Sequence, residues 1–220
     1  MRPATSGVVV AGGRSRRFGV ADKAFAAIAG RSLLGRVLHA LAPVVEELVV
    51  NCRPAQRRRV AAHLDGFDIP TTIATDPVPD GGPLAGLATG LDAASGRTVV
   101  AVPCDRPGLE PAVVGALCRR LTATDAEAVV PRLDGHPQPL CAAYEREPAL
   151  HATEAALTAD ERRLRALLDR LDVEPMTEST VRERGWTDAL RDVDTPADRR
   201  RAVARAVVAE DIVESGRSDT

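Results

Sequence analysis

The chain has 220 residues, enough for one domain with a sizeable core. A formal net charge of −2 excludes a global basic field for nucleic acid, and the clusters Arg57–Arg59 and Arg199–Arg201 fall in predicted helices among acids, as solvated faces do. With 45% hydrophobic but only 2% aromatic residues, the core has to be built from Val, Leu, Ile and Ala, which suits parallel strands covered by helices, and no apolar run could span a membrane.

In chain order, Gly7–Val10 opens a short apolar run suited to a buried strand. Gly12 and Gly13 break it, and a loop carrying Arg14, Arg16 and Arg17 follows before Gly19, Asp22 and Lys23. A strand that runs into a glycine-rich cationic loop suits phosphates. Glycines let backbone N–H groups approach the anion, and the cations neutralise it. Of the 29 basic residues only Lys23 is a lysine, which is either a survivor of codon bias or an ammonium kept for a purpose.

Ser32 is placed to cap a helix with Leu33, Leu34, Val37, Leu38 and Leu41 at helical spacing. Glu47–Asn51 reads as a second strand, and Pro54 starts a helix through Leu64. Thr71–Thr75 is a third strand, ending at Asp76. The turn-rich Asp76–Gly82 leads to Pro83, which starts a small-residue helix to about Ala93. Thr98–Val102 is a fourth strand, followed by Pro103, Cys104, Asp105, Arg106 and Pro107, and a helix fits Glu110–Leu121. Strand-like runs at Ala128–Pro131 and Pro139–Tyr144 flank the turn Asp134-Gly135, as a hairpin or a more distant pairing. Asp160–Leu171 reads as an amphipathic helix, and Asp172–Leu190 gives no clear pattern. Thr195-Pro196-Ala197-Asp198 offers a cap, a first-turn proline and an acid three residues after the cap, opening a helix to about Val213.

Cys52, Cys104, Cys118 and Cys141 show neither CxxC spacing nor a histidine at ligand distance, so reduced thiols are expected rather than disulfides or zinc. His39, His63, His136 and His151 are scattered and read as structural or exposed. Met1–Ser6 is too short and polar for a signal peptide. The expected organisation is a single soluble, cytoplasmic domain over 1–214 with a disordered tail at 215–220.

Strands and helices alternate through the first two-thirds, so a mostly parallel α/β sheet is the economical architecture. Ligands of such sheets sit beyond the carboxyl ends of the strands, near a topological switch point. Gly12, Asn51, Asp76 and Asp105 each close or closely follow a predicted strand, so four strand ends aim polar chemistry at one crevice. The glycine loop lacks G-x-G-x-x-G, and no Gly-Lys-Ser/Thr follows it, which demotes hydride transfer and Walker-type hydrolysis. Asp105, with a proline two residues to either side, is a natural Mg²⁺ ligand completed by substrate phosphates and water. Asp192 and Asp194 either coordinate a metal or decorate a loop.

Val8–Phe25 (VVVAGGRSRRFGVADKAF) resembles the signature loop of molybdenum cofactor guanylyltransferases, the MobA-like nucleotidyltransferases. The resemblance continues in Gly81–Leu91 (GGPLAGLATGL), Val102–Pro111 (VPCDRPGLEP), Leu133–Tyr144 (LDGHPQPLCAAY) and Asp192–Arg200 (DVDTPADRR), and so covers nearly the whole chain. It implies a Rossmann-like nucleotidyltransferase fold, three-layered with a mostly parallel central sheet. It also implies a GTP site in which Val10, Ala11, Gly12 and Gly13 cradle the nucleotide, Lys23 holds its phosphates, and Asn51 and Asp76 contact the nucleoside. Because two anions must meet, charge neutralisation by Mg²⁺, Lys23 and Arg17 is expected to dominate catalysis. Asp105 would bind both GTP and Mg²⁺, and Asp192 and Asp194 would lie on the acceptor side. The implied reaction moves GMP from GTP to molybdopterin and releases pyrophosphate, with transient contacts to other molybdenum cofactor biosynthesis proteins. Phe18 stands where the family usually has Met, and D-x-D at Asp192–Asp194 replaces its usual N-x-N. Two further readings stay open: a relative using CTP or another phosphorylated acceptor, and a non-catalytic nucleotide-binding paralogue.

Overall fold

A computed structural model describes residues 4–13, 22–77, 81–195 and 197–204. Arg17, Phe18 and the rest of the arginine loop lie outside the described residues, as does the expected tail at 215–220.

The apolar run at the start of the chain becomes β1 (Thr5–Val10), whose interior residues are buried on both faces. A short hairpin, β2 (Ala27–Ile28) with β3 (Arg31–Ser32), turns through left-handed Ala29 and Gly30 and precedes α1 (Leu33–Leu41). Ser32 caps α1 as its position foretells, its hydroxyl accepting from the Gly35 N–H. β4 (Glu47–Cys52) is buried throughout and is followed by α2 (Arg57–Leu64), β5 (Thr71–Thr75), α3 (Gly82–Ala93), β6 (Thr98–Pro103) and α4 (Pro111–Thr122). Pro54 opens not the helix itself but a 3-10 turn, Pro54–Gln56, because the Gln56 side chain folds back to accept from the Arg53 N–H.

The last third holds β7 (Ala128–Leu133), β8 (His136–Pro137), β9 (Ala142–Glu145), α5 (Arg146–Thr158), α6 (Arg165–Leu168), β10 (Val173–Met176) and α7 (Glu178–Glu183). Both pairings around Asp134-Gly135 occur: β8 closes a tight hairpin on β7, and β9 returns as a more distant antiparallel partner. The helix expected over Asp160–Leu171 is corrected to the single turn of α6, because Asp160 ends α5 in a left-handed conformation. The Glu161 N–H bonds the Ala156 carbonyl and the Asp160 N–H bonds that of Leu157, the two bonds of a Schellman end. Near the end of the chain, Thr195 and Asp198 form a reciprocal capping box ahead of a helical stretch at 197–204.

Among the described residues the main sheet has eight strands in the order β10-β7-β9-β6-β1-β4-β5, with β8 appended to β7. Every pairing along this path is parallel except those of β9. Alternate residues of the strands point to opposite faces and make a three-layer molecule. Val9, Val50, Val100 and Val102 pack with Leu34, Leu38 and Leu41 of α1 and Val114 and Leu117 of α4. Val8, Val49, Val99 and Ala101 pack with Leu84, Leu87 and Leu91 of α3 and Ala149, Ala152 and Ala156 of α5. The order of connection reverses at β1, which lies between β4 and β6 with Val10 opposite both Asn51 and Pro103.

Candidate active site

That register brings the carboxyl ends of β4, β1 and β6 side by side, about 5 Å apart, at the topological switch point. Ala11 continues the ladder by donating its N–H to the Asn51 carbonyl, and Cys104 donates to the Val10 carbonyl. The chain beyond these two bonds is what faces the crevice.

On the β4–β5 side, Asn51 Nδ2 donates to Asp76 Oδ1 at 2.5 Å. Asn51 is fully buried, and its Oδ1 has no hydrogen-bond partner among the described residues. Glycine is required beside this pair. A Cβ on Gly12 would lie 2.5 Å from Asp76 Oδ2, and one on Gly86 of α3 would lie 2.7 Å from Asn51 Oδ1. Burial raises the Asp76 carboxyl above its ordinary range, against the opposing hydrogen bond from Asn51 and the charge of Arg53.

On the β6 side, Lys23 is 6% exposed and lies in a 3-10 turn, Lys23–Phe25. Its ammonium donates to Asp105 Oδ2 at 2.8 Å and to Asp194 Oδ1 at 2.5 Å. Burial pulls the ammonium down, but the two carboxylates outweigh it and hold Lys23 above the ordinary lysine range. Asp105 is pushed up by burial, and its second oxygen is buried with no partner among the described residues. A free carboxylate oxygen at a strand end fits a hard divalent cation. Among the described residues no group of three or more His, Cys, Asp or Glu side chains could hold one, so phosphate oxygens and water would complete the shell.

The structure thus brings Gly12, Asn51 and Asp76 together, and Lys23, Asp105 and Asp194 together, on either side of the end of β1. Val10, Ala11 and Gly13 lie on or just beyond that strand. Asp192 contacts neither oxygen of Asp105, being paired instead with Arg106 at 2.8 Å. Two residues join that no sequence signal singled out. Gln56 is 1% exposed and donates to both the Ala11 carbonyl and Asp22 Oδ1, which fixes the entry to Lys23. Arg106 donates to Asp192 and to Gln138 Oε1. Each binds through long-range contacts, and a lone polar residue in a helix start or loop does not advertise these.

Next to Arg106 a cavity of about 700 Å³ opens, lined among others by Arg36, His136, Gln138, Asp188, Asp192 and Arg201. The thiols of Cys52, Cys104 and Cys141 are buried, and burial pushes each of them up, Cys52 to about 11, so they remain protonated and poor nucleophiles. Among the described residues no helix is long and apolar enough to cross a membrane.

A three-layer sheet with glycines, an ammonium and a strand-end carboxylate at its switch point defines a Rossmann-like nucleotidyltransferase. The profile of the MobA-like NTP transferase domain matches residues 7–175, and the chain belongs to that family. A protein of Natronomonas pharaonis named probable molybdenum cofactor guanylyltransferase is 40% identical over 200 residues, covering 91% of this chain and 97% of its own length. A protein of the same name from Haloferax mediterranei is 34% identical over 200 residues, covering 91% and 93%. The crystal structure of molybdopterin-guanine dinucleotide biosynthesis protein A from Archaeoglobus fulgidus superposes with a TM-score of 0.76 at 23% identity, over 92% of this chain and 98% of that one. Nucleotidyltransferases of this family typically need a divalent metal.

Proposed function

We propose that the protein transfers GMP from GTP to molybdopterin, forming the guanine dinucleotide cofactor and releasing pyrophosphate. The observation that carries this reading is the pair of unlike polar clusters flanking the end of β1. The amide–carboxylate pair of Asn51 and Asp76 offers acceptors for nucleoside hydroxyls and for the N1–H and N2–H₂ edge of guanine. Val10, Ala11, Gly12 and Gly13 leave room for the nucleotide backbone, and Lys23 and Arg17 take its phosphates.

The acceptor's terminal phosphate contributes the oxygen that bonds to the α-phosphorus, while the bond from that phosphorus to the bridging oxygen breaks and pyrophosphate leaves with the electron pair. No protein acid or base is required. The difficulty is bringing two anions together, so positioning and charge neutralisation dominate. Asp105 would hold Mg²⁺, which supplies further neutralisation when bound. The acceptor occupies the cavity beside Arg106, with Asp192 in its wall and Asp194 two residues on, paired with Lys23. The protein acts in the cytoplasm, where GTP and Mg²⁺ are at hand.

Incubation with each NTP, Mg²⁺ and molybdopterin, followed by mass analysis of the product, tests the reading. GTP is expected to outperform CTP and ATP, because loss of base-edge hydrogen bonds leaves buried acceptors unpaired. Asp105→Asn is expected to fold normally and to lose most metal-dependent transfer. Equal turnover with CTP would overturn the base assignment, and near-native activity of Asp105→Asn at limiting Mg²⁺ would overturn the metal assignment.

A further inference from the structure

We infer that Arg106 is the positioning residue of the acceptor side: its guanidinium holds Asp192 and Gln138 as one wall of the cavity. Arg106 is 4% exposed and does not itself line the cavity, whereas both of its partners do. Nε donates to Asp192 Oδ1 at 2.8 Å and one terminal nitrogen donates to Gln138 Oε1 at 2.6 Å. The other terminal nitrogen is buried with no oxygen partner among the described residues, and the Cys141 thiol lies against the guanidinium. The adjacent residue ties the same loop through the backbone, since the Val193 N–H bonds the Asp105 carbonyl at 3.0 Å.

Arg106 is buried but its partner Asp192 is 44% exposed on the side chain, so the ion pair contributes little net stability against the cost of desolvating the guanidinium. Retaining a guanidinium here is therefore explained by geometry rather than by stability. Its planar fork fixes two directions at once, which a lysine does not do. The same pairing accounts for the acidic D-x-D. Asp192 answers Arg106 and Asp194 answers Lys23, so each added negative charge has a cation of this chain beside it. One side chain thus joins the loop after β6, the turn before β9 and the 191–195 segment, one residue from Asp105.

The inference rests on the acceptor occupying that cavity, so its test has an arm that needs no turnover. Hydrogen exchange on Arg106→Gln is expected to quicken about tenfold or more at the Val193 amide and its neighbours, without change in β4 or α3. In steady-state assays the same variant should raise the KM for molybdopterin about tenfold while leaving the Kd for GTP within about twofold, and Arg106→Lys should recover part of the loss. Wild-type exchange at 191–195, or a GTP Kd that rises as far as the acceptor KM, would overturn the assignment. Should Arg106→Gln fail to fold, Gln138→Ala removes one contact without stranding the charge. Its acceptor KM should rise several-fold, and a wild-type value would reduce Arg106 to a structural residue. Absence of wild-type transfer to molybdopterin would instead sink the proposed function, with the exchange arm still deciding the role of Arg106.

Discussion

Lys23 is gripped by two carboxylates in a buried turn, so its shape matters as much as its charge. An arginine there would replace a compact ammonium with a wider fork that donates along fixed directions. On the proposed role of Lys23 the GTP phosphates would then be held out of line, and a misplacement of about 1 Å costs on the order of a hundredfold in rate. Lys23→Arg is therefore expected to keep its melting temperature and lose most of its kcat, while Lys23→Ala weakens GTP binding as well. Pyrophosphate release and thermal melts on the three proteins decide it. Wild-type kcat and KM in Lys23→Arg would mark the residue as incidental.

At the scale of the element, α3 is the part whose sequence answers most directly to the site. Gly86 brings the helix backbone against Asn51 and Val10, so that α3 and the end of β4 interlock. Gly86→Ala places a methyl 2.7 Å from Asn51 Oδ1 and 3.1 Å from Val10 Cγ1, and neither neighbour sits at the end of a long flexible side chain. Overpacking of this kind costs about 1–3 kcal/mol. The variant should melt lower and, because Asn51 is displaced from Asp76, should raise the KM for GTP more than it lowers kcat. A KM for GTP equal to wild type, alongside the expected loss of stability, would remove Asn51 from the nucleotide site.

For the whole molecule, the site is a place where stability is surrendered. Asp76 binds its proton more tightly folded than unfolded, because burial penalises the anion. Between the ordinary value of 3.8 and the raised one the folded state holds more protons, so stability falls as pH climbs through that window and stays lower at neutral pH. Asp76→Asn removes this cost. It should melt higher than wild type at pH 7, with the gain shrinking on acidification and vanishing below the ordinary carboxylate value, and it should bind GTP more weakly. Melting curves against pH for the two proteins test this, and a gain independent of pH would rule out the carboxyl as its source.

How far the fold was legible follows from the range of each signal. The β1, β4, β5 and β6 strands and the α1 and α4 helices could be read from local apolar runs, caps and prolines, since those features act within a few residues. The strand-end rule likewise placed Gly12, Asn51, Asp76 and Asp105 around one crevice. The end of α5 was not legible, because a left-handed Asp160 does the work usually left to glycine. Nor could the sequence by itself say which cation meets which acid. Lys23 reaches Asp194 across 171 positions and Arg106 reaches Asp192 across 86. The D-x-D segment has no local pattern of its own and takes its place only from partners that the sheet order carries to it. The chain's own pattern determined a polar crevice at the strand ends; only the tertiary structure decided how its charges are paired, because pairing at such separations is set by topology and not by neighbours in sequence.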